Sequence, residues 1–91
     1  MTAFEGLPGA ELIDEGLADL RNGKISAAAL LVSIGAPRLV RLGITLPHVE
    51  LQAEHRLYLL LHHDGPDAAH SRYNALVRRL VSFERALECV S

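Results

Sequence analysis

Residues 67–90 read DAAHSRYNALVRRLVSFERALECV, and this stretch decides the fold. Ala69, Tyr73, Leu76, Leu80, Phe83, Leu87 and Val90 recur at spacings of three and four, the period of one face of an α-helix. Val77 widens the stripe, while Ser71, Asn74, Arg78 and Arg85 take the opposite side. Asp67 has the side chain of an N-cap, and the pattern predicts a helix over 67–89. The stripe is too short for an extended coiled coil, so it is read as one helix of a bundle.

Upstream of it, Asp64-Gly65-Pro66-Asp67 has turn composition, and a fourth helix is predicted over about 47–63. Its wheel places Ala53, Leu57, Leu60 and Leu61 on one stripe, with Gln52, His55, Arg56, His62 and His63 opposite and Tyr58 and Leu51 at one edge. Leu59 falls among the polar residues and has no place in a core. Further back, Pro8 opens a first helix over 8–22, with Ile13, Leu17 and Leu20 as its stripe and Asn22-Gly23 as an αL-type end. Gly16 weakens that helix by about 1 kcal/mol relative to Ala, a cost that makes sense where another helix approaches closely. Ser26 caps a second helix over 26–34. Its run Ala27-Ala28-Ala29-Leu30-Leu31-Val32 is apolar on every side, the mark of a central helix. Pro37 starts a short helix over 37–42, ended by Gly43.

The architecture expected is all-α: four main helices and one short one in a single domain, residues 1–91. Composition agrees. Leu (17) and Ala (12) supply most of the 49% hydrophobic content, and only 4% is aromatic, a mix that favours helix over sheet. No apolar run reaches the roughly 18 residues of a membrane span. The start of the chain has neither the basic nor the apolar segment of a secretory signal. Cys89 stands alone and forms no internal disulfide. A cytoplasmic home is expected. Eight Arg to one Lys, and small-residue patterning such as Gly16-Leu17-x-Asp19-Leu20-x-x-Gly23, give the chain the look of a small bacterial protein from a GC-rich genome.

Four functional readings follow. The first is an interface. Only one helix of so small a bundle can be central, so the block 57–61 leaves Leu59 exposed beside Tyr58, and an exposed apolar patch marks a contact surface. A homodimer is the commonest answer, unless Phe4, Leu7, Ile44 and Leu46 fold over the patch. Arg72, Arg78, Arg79 and Arg85 offer the polar surface for an unidentified protein partner. The second is a helix-turn-helix-like DNA regulator over 26–42, with Arg38 and Arg41 facing phosphates or bases. The short second helix and the net charge of −2 make nucleic acid a poor partner.

The third is a metal at the turn, where His62, His63, Asp67 and His70 gather. His48, His55 and His62 are seven residues apart, about 10.5 Å of helix rise, and cannot share one ion. The fourth, catalysis by an Asp67/His70 acid–base pair, has no glycine-rich loop or nucleophile motif beside it. The expectation is a non-catalytic interaction or regulatory module without a cofactor.

Overall fold

A computed structural model describes residues 6–90. Its elements are α1 (Ala10–Arg21), α2 (Ala27–Ile34), α3 (Ala36–Arg41), α4 (Ala53–Asp64), a 3₁₀ turn (Pro66–Ala68) and α5 (Ala69–Val90). The all-α architecture of four main helices and a short one is as the sequence predicts, and no strand occurs among the described residues. Within those residues no helix is long and apolar enough to cross a membrane.

The all-apolar α2 is the hub. Residues 28–33 are all buried, and the helix touches α1, α3, α4 and α5. Its start is fixed twice by Ser26. The Ser26 Oγ accepts a hydrogen bond from the Ala29 backbone N–H at 3.1 Å and donates one to Asp19 Oδ2 of α1 at 2.6 Å. Ser26→Ala should therefore cost about 1 kcal/mol, read as a fall of roughly 4–8 °C in Tm.

The α1–α2 contact is the closest in the fold. At Gly16 an added Cβ would lie 2.5 Å from Val32 Cγ2 and closer still to the Ala28 carbonyl oxygen, so only glycine lets the two backbones meet. Both short turns close by the same device. Beyond α1, Gly23 (φ 72°) sends its N–H to Leu20 and Lys24 sends its own to Asp19. Beyond α3, Gly43 (φ 98°) bonds Val40 and Ile44 bonds Leu39. These are paired 5→2 and 6→1 bonds around a left-handed residue. In the second turn they carry Ile44 into the core, where it is buried.

On α5 the stripe buries Ala69, Leu80, Phe83 and Leu87, half-buries Tyr73, Leu76 and Val77, and releases Val90 into solvent. Glu84 is buried with them.

The structure corrects the predicted ends. The first helix starts at Ala10 rather than Pro8, because Gly9 takes a left-handed φ of 77° against the Arg79 carbonyl of α5. Asp67 is not an N-cap; it sits inside the 3₁₀ turn that leads into α5. The largest correction is the fourth helix, which begins at Ala53 and not at Pro47. The Glu50 backbone N–H is given to the buried Ser33 Oγ of α2 at 3.0 Å, which ties this non-helical segment to α2. Gln52 then turns the chain with φ 54°, the one positive φ among described residues other than glycine, a conformation that costs on the order of 1 kcal/mol.

Candidate interaction surface

Leu59 lies where its wheel position puts it: in solvent, 51% exposed. It borders an apolar groove between α4 and the start of α2, lined by Ile25, Leu30, Leu59, Leu60 and Arg56. Ile25, itself 47% exposed, directly precedes the cap Ser26, and Leu30 is the fourth helical residue. An apolar residue before the cap against one at the fourth position is the hydrophobic-staple arrangement, and that spacing was available in the sequence as a signal for Ile25. Leu7 and Leu46 pack half-buried against the core with Ile44, and none of the three lines this groove. Phe4, the remaining candidate cover, lies outside the described residues.

Among the described residues Arg56 is the only charged one lining the groove, and it is neutralised. Its Nη1 donates to Glu50 Oε1 at 2.7 Å and to the Leu51 carbonyl at 3.3 Å. Glu50 is also bonded to His48 Nε2 through its other oxygen. The Arg56 and His48 contacts hold the Glu50 carboxyl below its ordinary value. Ser33 thus pins Glu50, Glu50 orients Arg56, and Arg56 braces the backbone that holds Leu51 out at 80% exposure beside Val49 at 41%. The predicted helix over 47–52 hid this brace, since it placed Leu51 on a helix edge and Arg56 in open solvent.

The other candidates disperse. Tyr58 turns away from Leu59 toward α5, its ring 6.1 Å edge-on from Tyr73 and 6.1 Å from His62. Burial, and the nearby Glu54 charge, raise the Tyr73 hydroxyl above its ordinary value. Arg79 is tied to Glu11 of α1 at 2.7 Å, and with Arg72 it borders a different groove over Ala27, Leu61 and Leu76. Arg78 and Arg85 are exposed and make no ion pair among the described residues. Arg72 and Arg79 thus line that groove and not the one beside Leu59.

Arg38 does not present a free basic face with Arg41. It reaches back to α5, 3.7 Å from Glu84 and 3.5 Å from Glu88, and α3 is only six residues long. His62, His63, Asp67 and His70 are all exposed, and among the described residues no three His, Cys, Asp or Glu side chains converge on a point that could hold a metal ion. No family model, curated protein or solved structure matches the chain, so the surface is read from its own residues.

Proposed function

We propose that the chain is a non-catalytic interaction module that pairs with a second copy of itself through the groove between α4 and the start of α2. The observation that carries this reading is the exposed apolar pair Leu59 and Ile25 flanking a groove whose one charge is already neutralised. A two-fold contact sets a patch against itself, so a patch of net charge would repel its own copy. Here Glu50 cancels Arg56, and two copies can meet without that penalty. The exposed, free Cys89 suits a reducing compartment, in keeping with a cytoplasmic home.

Leu59→Glu tests the reading. The residue is half in solvent, so its loss should change stability by no more than about 0.5 kcal/mol. The charge would sit at the centre of the contact in both copies. The variant should be folded by circular dichroism and sediment as a monomer at concentrations where the parent is a dimer. A folded Leu59→Glu protein that still dimerises would rule this face out.

A further inference from the structure

At the C-terminal end of α2, α3 and α5 form another groove of about 280 Å³, just under the usual size of a ligand site. Its wall holds Glu84, whose side chain is 6% exposed. Among the described residues Glu84 has one polar partner, Arg38, whose nitrogen stands 3.7 Å away, beyond a hydrogen bond. Burial pushes the Glu84 carboxyl above its ordinary value, and Arg38 only opposes this.

Gly35 makes the arrangement possible. A Cβ there would meet Glu84 Oε2 at 3.0 Å and Leu80 Cδ1 at 2.8 Å, so a side chain would press on both and shift the carboxylate. At the lip stands Arg41, exposed and without an ion pair among the described residues. The remaining lining is aliphatic: Ile34, Val77 and Val81, all half-buried.

The geometry points to a binding site for a zwitterionic aliphatic α-amino acid. The reasoning is by charge. Arg38 is already taken up between Glu84 and Glu88, so a simple amine would satisfy Glu84 but meet the unpaired Arg41. A simple carboxylate would satisfy Arg41 but lie against the buried Glu84. An ammonium and a carboxylate on one carbon satisfy both, and a branched alkyl chain covers Ile34, Val77 and Val81. The ammonium donates to Glu84, the carboxylate accepts from Arg41, and the ligand adds no net charge.

The test uses L-leucine as probe, with leucinamide and 4-methylpentanoate as its two half-charged relatives, followed by amide chemical shifts. L-leucine should shift the Gly35 and Glu84 amides with a Kd of order 1 mM, and each relative should bind at least about tenfold more weakly. Glu84→Gln removes the acid without removing volume; it should weaken leucine about tenfold or more while leaving Tm equal or higher. Arg41→Gln, on an exposed side chain, should weaken it several-fold and gives a second reading should Glu84→Gln fail to fold. Leu59→Glu should bind leucine like the parent, so this site stands or falls independently of self-association. No shift at Gly35 and Glu84 up to about 20 mM leucine, or a half-charged relative binding as well as leucine, would overturn it.

Discussion

Phe83→Ala should cost about 3–5 kcal/mol, the range for emptying an aromatic site in a packed core. Phe83 is the largest fully buried side chain in the structure, at 0% exposure. It stands on α5 where Gly9 brings the start of α1 against the helix, an added Gly9 Cβ lying 3.6 Å from Phe83 Cβ. The loss should therefore loosen two elements at once. A domain of this length has a total stability of roughly 5–14 kcal/mol, so the loss should take between about a fifth and the whole of it. The measurement is urea unfolding followed by circular dichroism, with a fall in Tm of about 15 °C or more as the companion readout. A loss below about 1 kcal/mol would mean that Phe83 is not the centre of the packing.

Gly16→Ala should also destabilise, and here the sign carries the information. On a helix face open to solvent this change would add about 1 kcal/mol of stability, because alanine is the better helix former. In this fold the new methyl would press on Val32 Cγ2 at 2.5 Å and on the Ala28 carbonyl oxygen, which is backbone and cannot rotate away. Overpacking of this kind costs about 1–3 kcal/mol, more where backbone must move. The expected net result is a loss of about 2 kcal/mol, read as a Tm lower by roughly 10 °C. A more stable Gly16→Ala protein would show that α1 and α2 stand further apart than described.

The sequence was most legible where a single local rule acts. The spacing of Leu80, Phe83 and Leu87 marked the buried face of α5, and the unbroken apolar run of α2 marked the central helix. Gly23 and Gly43 marked turns because each follows a helix and must adopt a positive φ. Leu59 was legible as a misfit: an apolar residue at a polar wheel position has no core to enter, and it is exposed.

What escaped is non-local or contradicts residue type. Nothing near Pro47 announces that Ser33, 17 positions from Glu50, holds its backbone N–H, or that Gln52 turns the chain at positive φ just before Ala53. The Glu50–Arg56 brace and the exposed Leu51 belong to that non-helical segment. Glu84 lies four residues after Leu80 and three before Leu87, inside the stripe by spacing. Its charge argued for the surface, but the half-buried Arg38 of α3 stands against it at 3.7 Å. The same ion pair is why Arg38, which reads as a DNA-facing cation in the sequence, is turned inward. The histidines of the α4–α5 corner are close in sequence, yet all of them stand in solvent.

The most direct test of self-pairing through Leu59 and Ile25 is sedimentation equilibrium of the unmodified protein at tens of micromolar. A mass near twice 9.9 kDa, falling to the single-chain value on Leu59→Glu, is the expected result. A mass of 9.9 kDa for the unmodified chain across that range would contradict it.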